Sequence, residues 1–308
     1  MDRVYQIQKD EYVGGGTVAR RQVGSGYQLP VTVGTVVLGL AAAYAAAGVV
    51  LYLLRNRLVF PMRGGPAGPP HRHGLPNGEA VAITLADGAR LTGWLLWPPE
   101  PTPKPWTVLL WFHGNGETVA GLAPIFRAFQ HPHAALLALD YRGYGASTGS
   151  PTVANVTLDT DAVMAWLKAH VDAFPDRIVV YGRSAGSGPA THVAARHHVA
   201  GLVLESAFTS LPAMAREHFR IFPPFLAGSG FDNLGTIARV ACPVLFVHGD
   251  HDRTIPIAMG RALARRAPLV HEFWVIPRAG HNETYELGGA AYAQRVRRFV
   301  ERATAVTR

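Results

Sequence analysis

From Leu29 to Leu54 the chain carries no charged residue, and Arg55 and Arg57 close the run. Roughly twenty apolar residues suffice for a helix to cross a bilayer, so this segment is long enough to span one even when tilted. The polar, glycine-containing stretch before it (1–28) shows no helical period and reads as a disordered tail. A cleaved signal peptide is the alternative, since Ala43, Tyr44 and Ala45 resemble a cleavage site. Against it, the preceding polar stretch is too long for a signal n-region, and the apolar run continues to Leu54. Arg20 and Arg21 flank one end of the run and Arg55, Arg57, Arg63 and Arg72 the other, which leans toward a cytoplasmic C-terminal domain under the positive-inside rule.

Residues 55–78 are rich in Gly, Pro and His and read as a linker; His71 and His73, among basic and glycine residues, fit solvent better than a metal. A folded domain is expected over 79–308, and a chain starting near Arg63 is expected to be soluble on its own. Ala80–Leu85 and Arg90–Trp97, joined at Asp87-Gly88, spell a β-hairpin. Thr107–Phe112 is a continuous apolar run of the kind buried on both faces of a parallel sheet. Strands are expected at Ala134–Leu139, Ile178–Tyr181, Leu202–Leu204, Val244–His248 and Glu272–Ile276. Helices are expected at Leu158–His170, Pro189–Arg196, Ile257–Ala267 and Ala290–Ala303. Such alternation predicts βαβ units, a mainly parallel sheet with helices on both faces, and a ligand site at the carboxyl ends of the strands. The irregular insertion 208–237 is too short for a separate domain and predicts a small lid.

The strand at Ile178–Tyr181 runs into Gly182-Arg183-Ser184-Ala185-Gly186 and then an alanine-rich segment, giving strand, sharp turn and helix. That is the context a Gly-x-Ser-x-Gly nucleophile elbow needs: the serine sits at positive φ, and glycines flank it because bulkier side chains would crowd the turn. Two possible partners also fall just past strand ends, Asp252 after Gly249-Asp250-His251 and His281 after Ala279-Gly280. The chemistry requires these types. A serine hydroxyl becomes a good nucleophile when a base takes its proton, histidine titrates near neutrality, and a carboxylate fixes the imidazole tautomer. Glu205, past Leu204, competes with Asp252 for the acid role. Amides of Ala185 and of Asn115, within His113-Gly114-Asn115-Gly116, are the expected oxyanion donors, with His113 structural.

The net charge of +8 comes from 26 Arg and 3 Lys against 21 acidic residues, with nine arginines after residue 260. No module combining aromatic and basic residues points to nucleic acid, so a solvated helix face or anionic headgroups are the expected counterparts. Cys242 is the single cysteine, which excludes an internal disulfide.

Over about 79–303 the chain resembles the α/β-hydrolase superfamily, specifically its short-lid, often membrane-anchored serine hydrolases. The motifs that carry the likeness are His113-Gly114-Asn115-Gly116, Asp140-Tyr141-Arg142-Gly143-Tyr144-Gly145-Ala146-Ser147, the elbow followed by Ser187-Gly188-Pro189, Cys242-Pro243-Val244-Leu245 leading to Gly249-Asp250-His251-Asp252, and Gly280-His281. The resemblance implies a triad of Ser184, Asp252 and His281 acting on carboxylic esters, thioesters or amides, with no cofactor. Ala185 stands where many relatives carry a larger residue, which bears on pocket shape. A catalytically silent domain used for binding is the alternative of another class, against which the intact triad argues. An elbow serine rather than aspartate excludes dehalogenase or epoxide hydrolase chemistry. Phe222 and Phe225 in the aromatic lid are expected to line an acyl pocket for short to medium acyl esters.

Overall fold

The computed structural model describes residues 32–61, 64–102, 104–171 and 173–305. The expected tail 1–28 and the first three residues of the expected spanning run therefore lie outside the described residues. The chain divides into two units, 1–44 and 45–308. Helix α1 (Val33–Val59) is the regular element described in the first unit and continues into the second. Over its 27 residues it is long and apolar enough to cross a membrane, and Gly48 is its one buried residue. The helix runs five residues past the expected end at Leu54, because Arg55, Asn56 and Arg57 are compatible with a helix and nothing in 55–59 breaks it.

The second unit carries an eight-stranded sheet in the order β1-β2-β4-β3-β5-β6-β7-β8. Its strands are β1 (Gly78–Thr84), β2 (Arg90–Leu96), β3 (Thr107–Phe112), β4 (Ala134–Leu139), β5 (Ile178–Arg183), β6 (Gly201–Glu205), β7 (Val244–Gly249) and β8 (Val270–Ile276). β1 and β2 form the antiparallel hairpin expected from Asp87-Gly88, β2 meets β4 antiparallel, and every other pairing is parallel. Strands β3 to β7 are buried at every position, as the unbroken apolar runs require when helices cover both faces.

The helices are α2 (Ala123–Phe129), α3 (Val153–His170), α4 (Ser187–Arg196), α5 (Leu211–His218), α6 (Asn233–Ile237), α7 (Ile257–Arg266) and α8 (Thr284–Ala305). Thr152 caps α3 in a reciprocal capping box with Asn155, so that helix starts five residues ahead of its expected beginning at Leu158. α8 is bent at Gly289 (φ 52°), which separates the expected segment from a leading turn that starts at Thr284. α2 was not expected from the pattern; its seven residues are too few to display a helical period.

The expected linker 55–78 is instead packed onto the sheet. Phe60 is 2% exposed and meets Tyr141 and Phe231 edge-to-face, at centroid separations of 6.1 and 6.2 Å. Leu75 is fully buried, and His73, in a 3-10 turn over Pro70–His73, lies against Trp94 and donates to the Ala67 carbonyl at 2.7 Å. The glycine and proline density hid these anchors, because composition reports backbone freedom and not which apolar residues find a partner. Phe60→Ala should therefore cost about 3–5 kcal/mol of stability, as truncation of a buried aromatic does. Thermal unfolding of the detergent-solubilised full chain measures this. A chain beginning at Gly64, which lacks Phe60, should melt well below the full chain; equal melting temperatures for all three would show that 55–63 is a linker after all.

Candidate active site

Ser184 occupies the turn between β5 and α4 at φ 51°, in the left-handed region that a non-glycine residue rarely adopts. Its neighbours make that turn possible. A Cβ on Gly186 would overlap the Phe112 carbonyl oxygen at the end of β3, and one on Gly182 would overlap Ala190 of α4. The elbow is thereby pressed against the neighbouring strand and its own helix.

Asp252 follows β7 and His281 follows β8, and both reach Ser184. His281 Nδ1 lies 2.8 Å from Asp252 Oδ2, and His281 Nε2 lies 2.9 Å from Ser184 Oγ. A carboxylate only accepts, so Nδ1 carries the proton, Nε2 is left as acceptor, and the Ser184 hydroxyl donates to it. Asp252 also accepts the backbone N–H groups of Thr254 (2.9 Å) and Ile255 (2.8 Å) through its other oxygen. Burial pushes its carboxyl up, but the His281 hydrogen bond and charge, with the Ile255 amide, outweigh that and hold it below the usual carboxylate value. His248 packs behind it, donating to the Ile255 carbonyl at 2.8 Å, and burial holds its imidazole below the ordinary value.

Glu205, the competing acid, is engaged elsewhere. It is buried and accepts from the Tyr181 hydroxyl at 2.5 Å, from Arg183 Nε at 3.3 Å and from the Thr284 hydroxyl. Arg183 forks from there to two loops. Nη1 pairs with Glu117, whose other oxygen accepts the Gly114 amide at 2.5 Å; Nη2 donates to the His281 carbonyl at 3.1 Å and to Asn282 Oδ1 at 3.0 Å. One guanidinium thus ties the loop after β3, the end of β6 and the loop carrying His281 to the residue before Ser184. Pattern reading missed Arg183 and Glu117, although a charged residue in a turn between a buried strand and a buried helix, and an acid at the end of His-Gly-Asn-Gly-Glu, were the available signals.

Ser184, Ala185, His281, Asn115 and Gly116 open into a cavity of about 770 Å³. That size suits a small organic ligand. Phe222 lines it, with Phe208, Leu211, Met214, Phe219 and Leu226 from the 208–237 insertion. Phe225 does not: it is 71% exposed and points away, because it sits in a 3-10 turn (Pro224–Ala227) that sends successive side chains in different directions. Asn115 faces the cavity and its side-chain amide donates to the Leu58 carbonyl at 3.4 Å, in the last turn of α1. His113 is fully buried with Nδ1 donating to the Gly114 carbonyl at 2.9 Å, and burial pulls its imidazole down to about 4, so it is a neutral structural residue.

The family model for the alpha/beta hydrolase fold matches residues 107–229. An uncharacterized protein of Mycobacterium tuberculosis is 31% identical over 84% of this chain and 92% of its own length. Alpha/beta hydrolase domain-containing protein 17B of Homo sapiens is 32% identical over 65% of this chain and 68% of its own. Among solved structures, the Pyrococcus furiosus esterase Pf2001 superposes with a TM-score of 0.63 at 22% identity, covering 79% of this chain and 99% of that one, a likeness of fold.

Arg183→Met should loosen the two loops that the guanidinium joins. Amide hydrogen exchange at 113–117 and 279–284 is expected to rise by about tenfold or more while the sheet strands stay protected. Arg183→Lys, which keeps the charge but not the fork, should fall between. Uniform faster exchange throughout the sheet would instead mean that Arg183 serves global stability alone.

Proposed function

The chain belongs to the α/β-hydrolase family, and from that premise we propose that it is a membrane-anchored serine hydrolase of carboxylic esters. Thioesters and amides are the neighbouring substrate classes for the same machinery. The observation that carries this is the unbroken hydrogen-bond chain from Ser184 Oγ through His281 to Asp252, 2.9 and 2.8 Å, ending at a serine held at positive φ beside the cavity.

In the proposed cycle, Ser184 Oγ attacks the ester carbonyl carbon as its proton passes to His281 Nε2. The carbonyl electron pair moves onto oxygen, where the backbone amides of Ala185 and Asn115 donate to it. When the carbonyl re-forms, the C–O bond to the alcohol breaks, and His281 returns the proton to the departing oxygen. Water then attacks the acyl-Ser184 ester with His281 again as base, releasing the acid and restoring the serine. Asp252 holds the Nδ1–H tautomer and stabilises the transient imidazolium. Arg183 and Glu117 act as positioning residues for the loops that carry His281 and Asn115.

The proposed anchor is α1, which crosses the bilayer with the sheet-bearing unit on the cytoplasmic side. The hydrolase domain is proposed to begin at Phe60 rather than at residue 79, since Phe60 and Leu75 belong to its core.

Ser184→Ala should abolish labelling by a fluorophosphonate probe and lower ester turnover by several orders of magnitude; labelling that survives would move the nucleophile elsewhere. Asp252→Asn should cost about 10⁴ in turnover through the wrong imidazole tautomer. Glu205→Gln should cost far less, and the reverse ranking would assign the acid role to Glu205. The full chain should stay with membranes through high-salt and carbonate washes. Release by salt alone would mean that α1 does not span.

A further inference from the structure

α1 does more in this fold than precede it. Its last turns form one wall of the cavity onto which Ser184 opens: Leu51, Arg55, Leu58 and Val59 face the same space as His281 and Phe222. The opposite wall, the insertion 208–237, reaches along the helix in return. Gly48 is buried because Leu226 packs on it; a Cβ there would lie 3.6 Å from Leu226 Cδ1. Gly228 of the same turn lies beside the Arg55 guanidinium.

The depth of these contacts follows from helix geometry. At 1.5 Å per residue, 27 residues extend about 40 Å, whereas the hydrocarbon core of a bilayer is about 30 Å thick. About seven residues must therefore emerge, and Arg55 and Arg57 mark where the helix leaves the lipid. Gly48 then lies about 10 Å below Arg55, within the acyl region. Leu226, and the 3-10 turn that bears it, must reach the same depth. Phe225 of that turn is 71% exposed, and Leu53, two residues before Arg55 on the helix, is 69% exposed. With α1 spanning a bilayer as proposed above, these exposed apolar groups lie at the depth of lipid.

We propose that the cavity opens into the lipid phase, and that the acyl chain of a bilayer-resident long-chain ester enters it between α1 and the 224–227 turn. This rests on the hydrolase and bilayer assignments proposed above. Leu51 and Leu58 of the anchor helix are then acyl-binding residues and limit the chain length accepted, and Phe225 is immersed in lipid beside the opening. The ester group stops at the level of Ser184, just beyond the Arg55 end of the helix. Each methylene buried in such a channel multiplies affinity about fourfold. Long acyl chains should thus be preferred over the short to medium ones expected from the lid composition alone.

Two measurements on the full chain in phosphatidylcholine vesicles test this. In a Cys242→Ala background, Phe225→Cys carrying an environment-sensitive fluorophore should give blue-shifted emission quenched by brominated phosphatidylcholine. The same fluorophore on Arg261→Cys, an exposed position of α7, should report water. Leu58→Trp, and separately Leu51→Trp, should lower the ratio of kcat/KM for hexadecanoyl over acetyl nitrophenyl esters by about tenfold or more, with unchanged melting temperature showing that the fold persists. An aqueous signal at 225, or a ratio moved by neither tryptophan, overturns the proposal while acetyl ester turnover leaves the hydrolase assignment intact. Failure of every ester would count against the hydrolase assignment, and the fluorophore at 225 would then decide the lipid contact by itself.

Discussion

Ser184 is held at φ 51°, where a residue with a side chain costs about 1–3 kcal/mol unless its surroundings over-determine it. Much of the architecture around it can be understood as that over-determination. β5 is buried between β3 and β6, α4 turns back onto the sheet directly behind the serine, and glycines at 182 and 186 permit contacts that any Cβ would prevent. The result is a hydroxyl fixed at the carboxyl edge of the sheet, at the start of a helix. Parallel strands deliver Asn115, Asp252 and His281 to that same edge, because every βαβ crossover returns the chain in one direction.

Rigidity at the elbow would be of little use if the loops beyond the strands wandered. Arg183 couples them. Its guanidinium is buried among Glu205, Glu117, Asn282 and the His281 carbonyl, so two loops and the end of β6 share one ion-paired centre. Removing the charge from such a cluster leaves the buried Glu205 carboxylate without its cation, which costs far more than a surface pair is worth. Asp252 shows the same economy in its acceptors: two backbone amides fill one oxygen and leave the other to His281.

What could be read from the sequence was what is local or periodic. Apolar runs placed the strands within two residues, Asp87-Gly88 placed the hairpin, and residue types just past the strand ends placed Ser184, Asp252 and His281 together. What could not be read depends on contacts far apart in the chain. Glu205 and Asp252 both follow strands, and only spatial pairing separates an acid facing Arg183 from one facing His281. Phe60 sits in a segment whose composition signals a linker, yet it packs against Tyr141 and Phe231. Phe222 and Phe225 are three residues apart in one aromatic segment, yet Phe222, ahead of the 3-10 turn Pro224–Ala227, lines the cavity while Phe225, within it, is exposed.

The helix proposed as the membrane anchor also walls the cavity beside Ser184, and under that proposal a substrate is selected by where it resides as well as by the bond it offers. That connection has force only if Ser184 performs covalent chemistry. The most direct measurement is mass spectrometry of the intact protein and its Ser184 peptide after millisecond acid quench during turnover of an acyl ester. Covalent catalysis at Ser184 predicts a mass increase equal to the acyl group, confined to Ser184 and lost as substrate is exhausted. Turnover with no acyl adduct on the protein, or with the adduct on another residue, would contradict it.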